Sequence, residues 1–278
     1  MEMIYSTNRN RPLTMMKSLL RKPGILVAAL AAWLTATPLT LLAATCSKTS
    51  PAHTIALLEL YTSEGCDSCP NADRFVSNLA KSMSLTSDQV IPLSLHVDYW
   101  DYIGWKDAFA KPVFTQRQRQ LAQLANSRTV YTPEFFLAGR ELREWRNNLS
   151  AEVARINRQA AQANIQLTIN KLESKQLFFS VSASSTKNAH LYFALVEQSI
   201  VSKIMAGENR GATLQHDFVA REWGDPIPFN ASVINTQNRQ LPIPSNAVFK
   251  NLSLLAFVQS DKGEVLQALS LPLCSSLF

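Results

Sequence analysis

The feature that most constrains this chain is a Cys-x-x-Cys pair, Cys66 and Cys69, placed where an apolar run gives way to a helical pattern. Ile55–Tyr61 (IALLELY) has the length of a buried strand. Thr-Ser-Glu-Gly follows, then the two cysteines, then Pro70. Proline is tolerated in a first helical turn, where its missing N–H would have gone unpaired anyway. Ala72, Phe75, Val76, Leu79 and Met83 then recur at helical spacing. The cysteines therefore belong at a strand-to-helix junction, with Cys66 opening the helix and Cys69 inside it. The structural alternative for such a pair is half of a zinc site. No second Cys or Cys/His pair stands at the short spacing that zinc needs.

Charge decides which partners to consider. The 278 residues carry a formal net charge of +6, but five cations and one anion fall within residues 1–45. The remainder holds 22 cations against 20 anions, a net of +2, with no basic stripe, so nucleic acid is not an expected partner. Lys17, Arg21 and Lys22 precede an apolar run from Ile25 to Leu34 and an Ala-rich stretch to Ala44. That order reads as a bacterial secretory signal over residues 1–45, cleaved near Ala43–Thr45. An uncleaved anchor is the alternative, opposed by Thr35, Thr37, Pro38 and Thr40. The expected mature protein is periplasmic or secreted, with no stable membrane span, in an oxidising compartment. There an even cysteine count invites pairing, and four cysteines allow three connectivities. Chain ends tend to meet in compact folds. The economical pairing is Cys66–Cys69 as a redox couple and Cys46–Cys274 as a terminal staple.

Further along, Val90–Val97 reads as a strand, Val113–Ala125 as a helix and Val130–Gly139 as a loop, strand and turn. Trp145, Leu149, Val153, Ile156 and Ala160 form an amphipathic helix. After residue 164 the pattern changes: Ile165–Ile169, Leu177–Ala183, His190–Glu197, Val248–Gln259 and Glu264–Leu271 alternate like half-buried strands. The expected organisation is an α/β domain over 46–164 followed by an all-β, sandwich-like region over 165–278. Gly207-Glu-Asn-Arg-Gly211, with His216 beyond it, reads first as a tight turn and secondarily as a loop over the Cys-x-x-Cys cleft. No phosphate loop, catalytic Ser-His-Asp set or paired-carboxylate pattern stands out, and no cofactor is expected.

A Thr-Pro about 65 residues after the Cys-x-x-Cys, entering another strand, gives the N-terminal half a thioredoxin-like appearance. The loop words ELYTSEGCDSCPNAD, HVDYWDYIGWKDAF, TQRQR, VYTP and GENRGATLQH together resemble the secreted thioredoxin-like proteins grouped as domain of unknown function 1223. Asn71 and Ala108 depart from that pattern, at positions where proline is common. The resemblance implies a thioredoxin-like N-terminal domain in which Pro133 is cis, packs against the disulfide, and offers the Thr132 backbone to an extended substrate.

The chemistry follows from the residue types. A thiolate at a helix N-terminus is favoured by free N–H groups and the dipole. Cys66 is expected to be exposed and to attack, and Cys69 to resolve, in a thiol–disulfide oxidoreductase acting on protein thiols with an unidentified electron donor. Glu64 and Asp67 beside the motif oppose the thiolate and favour a reducing poise. Tyr99 and Trp100 are candidate substrate contacts in an aromatic loop. The alternatives are copper delivery through Cys66, Cys69 and His96, whose soft and imidazole donors suit that metal, and a non-catalytic binding module.

Overall fold

The computed structural model describes residues 46–274, and the expected leader lies outside the described residues. β1 (Ser47–Thr49) and β2 (Ala56–Thr62) lead into α1 (Cys69–Ser77) and the short α2 (Leu79–Met83). β3 (Val90–His96), a 3-10 turn over Asp101–Ile103, α3 (Pro112–Leu124), β4 (Glu134–Leu137), β5 (Arg140–Glu141) and α4 (Trp145–Asn157) follow. The chain is then extended through β6 (Ala163–Glu173), β7 (Gln176–Ser185), β8 (Ala189–Glu197), β9 (Ile200–Lys203) and β10 (Thr213–His216). It closes with β11 (Val219–Trp223), β12 (Ile227–Phe229), β13 (Asn235–Pro242), β14 (Leu252–Ser260) and β15 (Val265–Pro272).

These strands do not sort into an α/β domain and a separate β region. β2, β3, β4 and β5 share one nine-stranded mixed sheet with the later strands, in the order β15-β14-β8-β11-β3-β2-β4-β5, with β12 added to β8. β2–β3 and β3–β11 are parallel, while the pairs β2–β4, β11–β8, β8–β14 and β14–β15 are antiparallel. The expected thioredoxin-like α/β domain is therefore corrected to a strand-dominated fold. The early helices lie against a sheet completed by strands more than a hundred residues away. The β-rich character expected after residue 164 does hold.

Side-chain alternation explains the layers. Leu57 and Tyr61 of β2, Tyr192 and Ala194 of β8, and Leu255 and Phe257 of β14 face one way and enclose Phe114 and Leu121 of α3. On the other face Leu58 and Leu60 meet α1 and α4 through Val76, Leu149 and Val153. Farther along that face, Phe193, Leu195 and Leu254 meet a second sheet, β1-β6-β7-β13, through Leu167, Phe179 and Val181. The large sheet curls until its far strands meet its near ones. Val265 N–H donates to Ala138 O at 3.2 Å, and Ile55 N–H to Gln267 Oε1 at 2.8 Å. Inside the curl, the Arg117 guanidinium of α3 holds Glu59 of β2 at 2.6 and 2.8 Å, beneath the rings of Tyr192 and Phe257. The hairpin of β9 and β10 joins neither sheet. Among the described residues no helix is long and apolar enough to cross a membrane.

Candidate redox site

β2 and β3 run parallel and end together, Thr62 opposite His96. Beyond the end of β2 the backbone turns through Ser63–Ser68 into α1, and Cys66 and Cys69 are joined by a disulfide there. Ser68, at the N-cap, makes no side-chain bond to the helix. Its hydroxyl lies 3.3 Å from Cys66 Sγ instead. The first-turn N–H groups thus lack a side-chain cap, the arrangement that favours negative charge at Cys66 once the bond is reduced. Cys46 and Cys274 form the second disulfide, with Cα atoms 5.8 Å apart.

The Thr132–Pro133 peptide is cis. Trp100 links it to the cysteine loop. Its indole N–H donates to Thr132 Oγ1 at 2.7 Å, and its Cβ lies 3.2 Å from where a Cβ on Gly65 would sit. Tyr99 points elsewhere, donating to Gln118 Oε1 of α3 at 3.2 Å. Of the two expected aromatic contacts, only Trp100 is placed beside the disulfide loop.

One expectation is overturned outright: Cys66 is not exposed. Its relative accessibility is 1%, as low as that of Cys69 at 0%. The cover comes from two segments, the Asp101–Trp105 turn and the tip of the β9–β10 hairpin. Gly207 at that tip has φ +74°, and a side chain there would lie 3.2 Å from Trp105 Cβ. Glycine answers both demands. The Asn209 Nδ2 group donates to Glu64 O at 2.8 Å and Cys66 O at 2.9 Å, while Asp67 N–H donates to Glu208 Oε2 at 3.1 Å. The segment read chiefly as a tight turn is both a turn and a cover.

Behind the disulfide lies a buried ionic cluster. His96 Nδ1 meets Asp107 Oδ2 at 2.7 Å, and the same oxygen accepts Glu64 N–H at 2.9 Å. Glu64 Oε2 accepts the Trp105 indole N–H at 2.8 Å. His216, at the end of β10, lies 3.3 Å from Glu64 Oε1 and 3.6 Å from Asp73 Oδ2. Neither imidazole nitrogen of His216 is aligned for a hydrogen bond, so these contacts are ion pairs. Burial alone would strip the His216 proton, but Asp73 and Glu64 outweigh it and lift the imidazole to about 10. Burial likewise opposes the Glu64 charge, yet His216 and Trp105 hold its carboxyl below the ordinary range. Against its own burial, Asp107 is held low by His96.

Asp73, Asp107 and His216 escaped the sequence reading. Only position four after Cys69, on the same helix face, could have flagged Asp73. His96 is fully buried. Among the described residues no three His, Cys, Asp or Glu side chains converge on a metal-sized position, so the trio Cys66, Cys69 and His96 is not assembled as a site.

The family model described as "Protein of unknown function (DUF1223)" matches residues 57–259. No curated protein matches the chain. A crystal structure of a protein from Agrobacterium tumefaciens is 21% identical, covering 80% of this chain and 96% of its own, with a TM-score of 0.56. The two share a fold. A domain of the outer membrane lipoprotein Omp28 from Porphyromonas gingivalis is 13% identical over 41% of this chain and 88% of its own. Its TM-score of 0.27 is too low for a shared fold.

Proposed function

The chain belongs to the DUF1223 family, and we propose that it is an exported thiol–disulfide oxidoreductase working through the Cys66–Cys69 couple on protein clients. The observation that carries this reading is the disulfide itself, at the mouth of a helix whose first turn has no side-chain cap, beside the cis Thr132–Pro133 peptide. The electron balance is simple. The Cys66 thiolate attacks a client disulfide, forming a mixed disulfide and releasing one client sulfur as thiolate. Cys69 then attacks Cys66 Sγ, the second client thiolate leaves, and the client has gained two electrons. An exported dithiol donor returns the couple to its reduced form.

The test is a trapping experiment. Cys69→Ser should accumulate a mixed disulfide through Cys66 with a reduced-and-scrambled model protein, and Cys66→Ser should not. Equal labelling of the two variants would contradict the reading. A second reading, favoured by the 1% exposure of Cys66, is a non-catalytic binding module in which this disulfide only staples the loop. Under that reading neither variant traps a client.

A further inference from the structure

An isolated two-stranded hairpin is marginal by itself. β9 and β10 form one that belongs to neither sheet, yet its tip sits on the disulfide loop. The base is anchored: Ile204 and Leu214 are buried, and His216 lies between Glu64 and Asp73. The tip is ordered within itself, with Gly211 N–H donating to Ile204 O at 2.8 Å and Ala212 N–H to Asn209 O at 3.0 Å. What attaches the tip to the cysteine loop is two side chains. Their partners are all backbone: the carbonyls of Glu64 and Cys66 and the amide of Asp67. Two donated hydrogen bonds and one accepted one along a short run of main chain are what an extended peptide supplies when it pairs with an edge. The rim is apolar and open, with Tyr102 at 82% exposure on one side and Met205 at 71% on the other.

We propose that the tip of this hairpin is an internal stand-in for a polypeptide client. Glu208 and Asn209 occupy the backbone positions that an extended client segment takes when it reaches Cys66, and the client must displace them. This inference rests on the redox reading of the site. It names the substrate class as unfolded or extended polypeptide, whose amides replace the Asn209 and Glu208 bonds while its side chains cover Tyr102 and Met205. Small thiols, lacking that backbone, meet a closed cover.

The experiment measures two rates on the full mature protein. One is reduction of Cys66–Cys69 by dithiothreitol, which leaves oxidised dithiothreitol and two protein thiols. The other is mixed-disulfide formation between the reduced protein and a cystine-bridged extended peptide. Asn209→Ala and Glu208→Ala should each speed the dithiothreitol reaction, together by about tenfold, as loss of about 1.4 kcal/mol of hydrogen bonding implies. Glu208→Gln keeps an acceptor and should stay within about twofold of wild type. Both alanine variants should also speed the peptide reaction, but by a smaller factor, because the peptide already displaces the tip.

Equal dithiothreitol rates in all proteins overturn the proposal. A faster dithiothreitol reaction with a peptide rate slowed or accelerated as much overturns the mimicry and leaves only a steric shield. Glu208 is exposed, so the Glu208→Ala and Glu208→Gln pair carries the comparison even if Asn209→Ala fails to fold. Failure of the redox reading is a separate result: a couple that reaches no reversible equilibrium with glutathione while the protein stays folded.

Discussion

His216 keeps a proton where a lone imidazole would shed it. The folded value of about 10 lies above the ordinary 6.5, so its stabilisation is complete below pH 6.5 and is lost as pH rises through 10. Glu64 and Asp107 are depressed, so their contributions exist above the usual carboxylate range and vanish as pH falls. Stability measured by urea unfolding should therefore peak between about pH 5 and 6.5 and decline towards pH 10 by on the order of a few kcal/mol. His216→Gln should flatten that alkaline decline and lower the peak by about 3–5 kcal/mol, because Glu64 and Asp73 lose their buried counter-charge. An unchanged alkaline slope would mean that another group titrates. This cluster was largely illegible in the sequence. The cysteine spacing and the Thr-Pro announce themselves, whereas Asp73 and Asp107 look like any solvated charge until the fold buries them.

Elements read well where burial writes a pattern and poorly where it does not. The expected Ile55–Tyr61 and Val90–Val97 strands and the Val113–Ala125 helix agree with β2, β3 and α3 to within a residue at each end. β13 reads NTQNRQLP with one face barely buried, and β9 and β10 carry few apolar residues, so none offered a periodic signal. Curling of the sheet was equally hidden, since it depends on a close approach between distant turns. Gly139, at φ +84°, would place a Cβ 1.8 Å from the carbonyl oxygen of Gly263. Gly104 has φ +98° but open space around it. Gly104→Ala should cost only about 1–2 kcal/mol of backbone strain. Gly139→Ala should cost clearly more, because two turns must part. Thermal unfolding of the two variants checks this, and equal losses would mean that the contact is not needed for the closure.

For the whole molecule, the pairing of Cys46 with Cys274 was read correctly from parity and terminal position, and the fold class was not. Alternating strand and helix signals in the first half suggested a self-contained α/β domain. Pairing partners such as Val219 opposite Ser94 lie too far along the chain for any local pattern to reveal. The Cys46–Cys274 bond closes a separation of 228 residues, worth on the order of 5 kcal/mol in the chain-entropy view. Cys46→Ser with Cys274→Ser should lower the unfolding midpoint in urea while leaving Cys66–Cys69 intact. An unchanged midpoint would mean that the packing of β1 and β15 suffices without the bond.

The central claim is that Cys66–Cys69 is a working couple and not a staple. Asp67 and Glu64 flank Cys66 without any adjacent cation in sequence, while the helix mouth favours the thiolate, so activation should be mild. Equilibration of the folded protein with glutathione buffers, read by mass spectrometry of alkylated peptides, tests this most directly. The account expects reversible two-electron behaviour with a midpoint nearer about −270 mV than about −120 mV. A bond that opens only when the protein unfolds, or a midpoint above about −150 mV, would contradict it.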